Sequence, residues 1–292
     1  MPRLAVQKTI KEALAAAAAS FSKAGFPSAW LDAELLLSHV LKKERSFLFT
    51  RPEISLTARQ HTLFSELVKK RLKHHPVAYL LGHKEFYGLD FIVTPDVLVP
   101  RPESELIVDL AKNLGGPDTL LIDVGTGSGC LPITLAPYFA SVIALDISPK
   151  ALLVARRNGR KHGRKNIKFM KSDLLSALLT RSSYAASVFK NFSNIIITAN
   201  LPYLTAAEIK NEKSIGREPR LALYGGKDGL TLYKRLAKQL VILKRKHPHF
   251  SITLFCEINP QQKDGLAQIC KKQGVAFHKD LADKIRVGVV SV

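Results

Sequence analysis

Eight residues, Ile196 to Tyr203, read IITANLPY. An apolar β-branched run stops at Asn-Leu-Pro-Tyr, so a side-chain amide and an aromatic ring share one tight turn. A nitrogen carrying two hydrogens can donate one to the Asn200 side-chain oxygen and the other to the backbone carbonyl of residue 201. Tyr203 then stands where its ring can cover a planar group. Held in this way, a weak nitrogen nucleophile is oriented without a strong base, and orientation can supply many powers of ten in rate. Pro202 biases Leu201 toward extended backbone. Taken alone, Asn-Leu-Pro after a strand is equally an ordinary turn, so its chemistry depends on what lies beside it.

The second candidate is LIDVGTGSGC, Leu121 to Cys130. An apolar run delivers Asp123, and then Gly125, Gly127 and Gly129 alternate with Thr126 and Ser128. Such glycines admit a ligand that approaches the backbone too closely for a Cβ. A dinucleotide fingerprint needs two residues between its second and third glycines, and here there is one. The next apolar run, SVIALDI, carries Asp146, whose carboxylate can accept both hydroxyls of an adenosine ribose. Further on, KSDLL sets Asp173 toward an adenine amino group and Leu174 toward the ring edge. Asp123, two residues before the first glycine, suits the amino group of a methionine moiety. Any one of these aspartates reads equally as a helix N-cap. The ordered set after a glycine loop describes a pocket for S-adenosyl-L-methionine, with S-adenosyl-L-homocysteine as the product. Cys130, Cys256 and Cys270 are scattered, which offers no metal-ligand pair or disulfide framework and fits a reducing cytoplasm.

These residues need a scaffold that gathers strand ends. TLLIDV, SVIALDI, IKFMKSD, NIIITAN and ITLFCEI are short apolar runs separated by helical stretches, which predicts a mostly parallel sheet with helices on both faces. In such a sheet the strand ending at Asn200 borders the crevice of the glycine loop. Upstream, Thr9 to about His75 is helical. TIKEALAAAAASFSKAG stops at Gly25, and SAWLDAELLLSHVLKK spaces Trp30, Leu31, Leu35, Leu36, Val40 and Leu41 as one apolar stripe. EFYGLDFIVTPDVLVPRP, between them, reads as a hairpin and linker. The expected division is a helical bundle over residues 1–80, a β-hairpin linker over 81–102 and a catalytic domain over 103–292. At 292 residues and 46% hydrophobic the chain can build both cores. No stretch approaches the roughly 20 apolar residues of a membrane span, and the Ala-rich N-terminal run lacks a signal-peptide cleavage site; a cytoplasmic protein is expected. The net charge of +20 favours acidic partners.

Together these segments resemble one family, the release factor glutamine methyltransferases (HemK/PrmC family), over nearly the whole chain. LDAELLLSHVL resembles the family's helical domain and HPVAYLLGHKEFYGLDFIVTPDVLVPRPESELIV its linker. DVGTGSGC and ALDIS match its cofactor motifs; EPRLALYGGKDGL (Glu218 to Leu230) and KDLADKIRV resemble its later segments. The resemblance implies an α/β fold: a Rossmann-like class I S-adenosylmethionine-dependent methyltransferase, preceded by a small helical bundle that recognises the release factor. It implies methyl transfer to the side-chain amide nitrogen of the glutamine in the Gly-Gly-Gln loop of class I peptide chain release factors, by a monomer. Carried over, Gly125, Thr126, Gly127, Ser128, Gly129, Asp146, Leu174 and Asn200 line the cofactor site. Asn200, Leu201, Pro202 and Tyr203 hold the glutamine amide, with Asn200, Pro202 and Tyr203 at the chemistry. Arg101 and Glu103, in VPRPESE, are secondary substrate-binding candidates.

Three positions depart from the family pattern: Leu201 stands where proline is usual, Leu174 where an aromatic or bulky residue often faces the adenine, and Asp283 where glycine is usual. Asn-Leu-Pro-Tyr also occurs in enzymes that methylate adenine in ribosomal RNA. The acid-free basic stretch from Ser148 to Ser172 would be the phosphate contact of an N6-adenine methyltransferase. The linker and the Glu218–Leu230 block favour glutamine and leave nucleic acid as a secondary contact.

Overall fold

The computed structural model describes residues 8–180, 189–271 and 273–292. The chain forms two units. One runs to Gly82 and includes Lys213–Arg217; the other holds His83–Glu212 and Glu218–Val292.

The first unit is helical: α1 (Ile10–Lys23), α2 (Ala29–Leu41), α3 (Arg45–Thr50), α4 (Ala58–Leu72) and α5 (Val77–Leu81). Capping boxes start α1 (Thr9 with Glu12) and α4 (Thr57 with Gln60), satisfying N–H groups that have no partner within the helix. Ile10, Leu14, Phe21, Leu36, Leu37, Leu48, Leu56 and Phe64 form its core. The α2 stripe differs from the expected one. Trp30 and Leu31 are exposed, whereas Ala29, Ala33, Leu36 and Leu37 are buried. Small alanines on α2 face Ala13, Ala17 and Ala18 of α1 in the same core, so close helix approach decides the face, not side-chain size. Asp32 and Arg71 form a buried ion pair at 2.7 Å, and the Arg71 guanidinium lies 4.0 Å from the Phe26 ring centre.

The second unit opens with a hairpin, β1 (His83–Phe86) and β2 (Leu89–Ile92), turning at Tyr87 and Gly88, both at positive φ. That is the two-residue turn whose twist suits a hairpin. Phe86 and Phe91 sink into the core beside Ile107 and Val108 of α6 (Glu105–Ala111), so the hairpin is part of this unit's body. The sheet follows with β3 (Thr119–Val124), β4 (Ser141–Asp146), β5 (Ile167–Lys171), β6 (Asn194–Ala199), β7 (Ser251–Glu257), β8 (Ala276–Lys279) and β9 (Ile285–Ser291). Their order is β5-β4-β3-β6-β7-β9-β8. The first five are parallel; β9 runs antiparallel to β7 and β8. Alternate β3 residues serve opposite faces: Leu120, Ile122 and Val124 join one core and Leu121 the other. α6 and α7 (Cys130–Leu135) cover the Leu121 face; α11 (Thr231–Lys246) and α12 (Lys263–Ile269) cover the other, while α8 (Pro149–Lys161) packs on β5 and β4. The short helices α9 (Ser176–Thr180) and α10 (Ala206–Asn211) follow β5 and β6. No helix among the described residues is long and apolar enough to cross a membrane.

Candidate active site

Strand register gathers the candidate residues. Val124 pairs with Leu145 and Ala199, Asp146 with Lys171, and Ala199 with Cys256. The loops after β3, β4, β5, β6 and β7 therefore share one sheet edge, and the strand order reverses between β3 and β6, where a crevice opens in doubly wound sheets. A cavity of about 240 Å³ lies there, walled by Gly125 to Ser128, Asp123, Asp146, Asp173, Leu174 and Asn200 to Pro202. Arg101 also reaches it; Gly129, Tyr203 and Glu103 do not. Gly129 instead caps α7 at φ +82, where a Cβ would stand 2.9 Å from Ile133. Glu103 lies 3.9 Å from Arg286.

The glycine loop is held from behind. The buried Asn158 amide donates to the carbonyls of Ser128 and Ile92 and accepts the Ile92 N–H, tying hairpin, loop and α8 together. In front, Asp146 accepts the Gly127 N–H on one oxygen and the Ser148 N–H on the other, both at 2.8 Å. Each oxygen keeps a lone pair for a further donor. Burial raises the Asp146 pKa, opposed by those N–H groups. A Cβ on Gly127 would meet nothing within 4 Å: the backbone there faces open space.

Asp123 is 1% exposed. One carboxylate oxygen accepts the Thr198 hydroxyl at 2.6 Å; the other has no hydrogen-bond partner among the described residues. Burial pushes its pKa up to about 6, against the pull of the Thr126 and Thr198 hydroxyls and with a small push from Asp146. Thr126 acts electrostatically without closing a well-formed hydrogen bond, since its own hydroxyl is also unpartnered. An unsatisfied buried carboxylate oxygen at a cavity wall is costly unless a donor arrives, and an ammonium group is the donor that suits it. Asp173 is engaged by Arg235 of α11 at 2.5 Å. Leu174 takes the left-handed conformation (φ +51), a strain of ~1 kcal/mol for a branched residue. Its carbonyl accepts the Ser172 hydroxyl and the next N–H donates to Gln239.

The Asn200 turn is pinned by residues with no local signal in the sequence. Asn200 Nδ2 donates to Ser104 Oγ at 2.7 Å, and Ser104 Oγ donates to Glu257 Oε2 at 2.5 Å. The Tyr203 hydroxyl donates to Glu257 Oε1 at 3.2 Å, which draws Tyr203 away from the cavity wall; burial and Glu257 both raise its pKa. Tyr233 accepts the Leu201 N–H at 3.4 Å and lies within hydrogen-bond distance of the Ala199 and Glu257 carbonyls. Gln262 donates to the Tyr203 carbonyl at 2.7 Å. The Leu201 carbonyl and Asn200 Oδ1 keep no protein donor among the described residues. The Gly-Gly-x-Asp-Gly-Leu segment packs on this same turn. A Cβ on Gly225 would fall 2.7 Å from Tyr203 Cα and collide with the Pro202 carbonyl; one on Gly229 would strike the Tyr203 carbonyl. Glu218, buried, accepts the Val99 N–H at 3.1 Å and pairs with Arg101, closing the linker over the cavity.

Fold and site define an S-adenosylmethionine-dependent methyltransferase of the class I, Rossmann-like type. The fold is shared with the hMettl16 catalytic domain in its complex with the MAT2A 3′UTR hairpin 6, at TM-score 0.52 and 16% identity over 70% of this chain and 75% of that one. Residues 116–229 match a methyltransferase domain family and residues 12–82 the PrmC N-terminal domain. The release factor glutamine methyltransferase of Koribacter versatilis is 38% identical over 80% of this chain and 81% of its own length; that of Chlorobaculum tepidum is 38% identical over 92% and 90%. The chain belongs to the release factor glutamine methyltransferase family.

Proposed function

We propose that the protein methylates the side-chain amide nitrogen of the glutamine in the Gly-Gly-Gln loop of class I release factors, drawing the methyl group from S-adenosylmethionine. The observation that carries this reading is the pinned Asn200 amide. With its NH2 end fixed on Ser104, its oxygen is the end left for a donor, beside the free Leu201 carbonyl. Two free acceptors on adjacent residues match the two N–H donors of a primary amide. A substrate amide seated there has its nitrogen oriented with no ionisable side chain needed at the reacting atom. One nitrogen–carbon bond forms, the sulfonium–methyl bond breaks, and one amide proton leaves to solvent.

The cofactor supplies an electrophilic methyl on a cationic sulfur. Asp123 would hold its amino group, the Gly125–Gly129 loop would admit it against the backbone, Asp146 would accept its ribose hydroxyls, and Asp173 with Leu174 would border the adenine. Tyr203, outside the cavity wall and held on Glu257, would support the shape of the turn. The helical unit would carry release-factor recognition. An adenine substrate fits the same turn, but the match of residues 12–82 to the PrmC N-terminal domain and the kinship with glutamine methyltransferases favour the amide.

The test is direct. Incubated with methyl-labelled cofactor and either a class I release factor or ribosomal RNA, the protein is expected to label the factor at its Gly-Gly-Gln glutamine. Label in RNA with none in that glutamine overturns the reading.

A further inference from the structure

Glu257 lies at the end of β7, 1% exposed, outside the cavity wall, and has no cation at hydrogen-bond distance among the described residues. A lone buried carboxylate is expensive to keep. What it receives is two hydroxyls, one per oxygen, from Ser104 and Tyr203. Both belong to the substrate turn's surroundings: Ser104 receives Asn200 Nδ2, and Tyr203 closes the turn itself.

We infer that Glu257, through Ser104, is the positioning residue that dictates which end of the Asn200 amide faces the substrate. A carboxylate only accepts hydrogen bonds, so Ser104, with one proton, must spend it on Glu257. Its remaining lone pairs accept only, so the group that Asn200 turns toward it must be the NH2 end. Oδ1 is then left to face the cavity. A protonated Glu257 reverses the chain: it can donate to Ser104, whose proton is freed to point at Asn200 and hold Oδ1. The NH2 end then faces the cavity and opposes the donors of a substrate amide. This inference rests on the glutamine-amide reading of the turn.

The groups around Glu257 shape its titration. Burial pushes its pKa up to about 6; the Ser104 and Tyr203 hydroxyls pull it down, Glu103 pushes it up and Arg286 opposes. Tyr233 bonds its backbone carbonyl, and Cys130 feels its charge. Ionised Glu257 is the productive form, so kcat/KM for the release factor should fall as pH drops through about 6. Asp123 titrates in the same range but acts on the cofactor; saturating S-adenosylmethionine separates the two.

The experiment compares wild type, Ser104→Ala, Ser104→Thr and Glu257→Gln for methyl transfer to a release factor at saturating cofactor, from pH 5 to 8.5. Ser104→Ala is expected to lose about 100-fold in kcat/KM for the factor at pH 8, the scale of a small misplacement at a reacting group. Its S-adenosylmethionine affinity by calorimetry should fall far less than kcat/KM, although Ser104 also lines the cavity, and its acid limb should vanish. Ser104→Thr, which keeps the hydroxyl, should recover both rate and acid limb. Glu257→Gln, if it melts normally, should also lose the limb. A Ser104→Ala enzyme with near-wild-type kcat/KM, or with the acid limb intact, overturns the inference. If wild type itself fails to methylate the factor, the functional reading fails instead, and the two failures are thereby distinct.

Discussion

Replacing Asp123 with asparagine should make the protein more stable without cofactor and poorer at binding it. The buried carboxyl titrates near 6 where 3.8 is ordinary, so ionisation costs the folded state about 3 kcal/mol at pH 8. Asparagine removes that cost and keeps an oxygen for the Thr198 hydroxyl. Its new N–H needs an acceptor, and the unpartnered Thr126 hydroxyl is the one at hand. A net gain of roughly 1–2 kcal/mol is expected, a rise in Tm of about 2–8 °C for a domain of this size. The sign with pH follows from a raised carboxyl pKa. Wild type gains stability as pH falls through 6 toward 3.8, so the gap between the two proteins closes on acidification. Binding moves the other way: loss of a charged hydrogen bond to an ammonium group costs about 1.5–3 kcal/mol, or ~10–100-fold in Kd. Wild-type affinity should weaken below pH 6 while that of the variant stays flat. Thermal melts and calorimetric titrations with S-adenosylmethionine at pH 5.5 and 8 read both effects. An Asp123→Asn protein that binds as tightly as wild type at pH 8, or melts several degrees lower, refutes the assignment.

Four further substitutions have outcomes that follow from the same geometry. Asn200→Ala should lower kcat by about 10²–10³ while weakening the cofactor far less, since its loss removes one of two amide acceptors; single-turnover assays with saturating cofactor would expose near-normal chemistry if the clamp were wrong. Gly127→Ala should cost only ~1 kcal/mol in stability, because its Cβ points into open space at φ +55, yet block S-adenosylmethionine. Gly129→Ala should destabilise more, by ~2–4 kcal/mol, because strain at φ +82 adds to its clash with Ile133; comparing denaturant midpoints with cofactor Kd checks the contrast. Glu218→Ala should cost about 2–3 kcal/mol by stranding Arg101 and the Val99 N–H, with Arg101 being one-third exposed and so only partly penalised. A loosened cavity wall should appear as a higher KM for the cofactor, and an unchanged midpoint would contradict it.

What could be read in the sequence was what is local. The five parallel strands announced themselves as short β-branched runs, and the glycine loop by its spacing, because both depend on neighbours within a few residues. Asp283, where the resemblance implies glycine, sits at φ +59, a conformation aspartate tolerates better than most side chains. The α2 face departs from the apolar stripe because Ala29 and Ala33, which let α1 approach closely, are buried while Trp30 and Leu31 are exposed. Ser104 and Glu257 were invisible for another reason: they meet across 153 residues of chain, and only the register of β7 beside β6 brings them under Asn200. Nothing in VPRPESEL or FCEINP marks a serine or a glutamate as more than a surface polar residue.

The same geometry explains why leucine can stand at position 201. Proline there would offer no N–H, whereas leucine brings one that must be satisfied behind the turn. Tyr233 takes it at 3.4 Å, a long bond whose absence would cost little, and the hydroxyl has two nearby carbonyls of its own. The leucine side chain is 2% exposed, and its Cδ2 stands 3.0 Å from where a Gly125 Cβ would be, so it fills space beside the cofactor loop. The group proposed to meet the substrate is the carbonyl, common to both residues. Rigidity lost with one proline is kept within the turn by Pro202 and returned from outside it by Gln262 on the Tyr203 carbonyl and by Gly225 and Gly229 packed against the backbone. Those two glycines belong to the Glu218–Leu230 segment, whose resemblance to the glutamine methyltransferases the sequence carries. Their close approach ties that segment to the shape of the substrate turn, so a change at Gly225 or Gly229 should impair amide recognition even though neither residue reaches the amide.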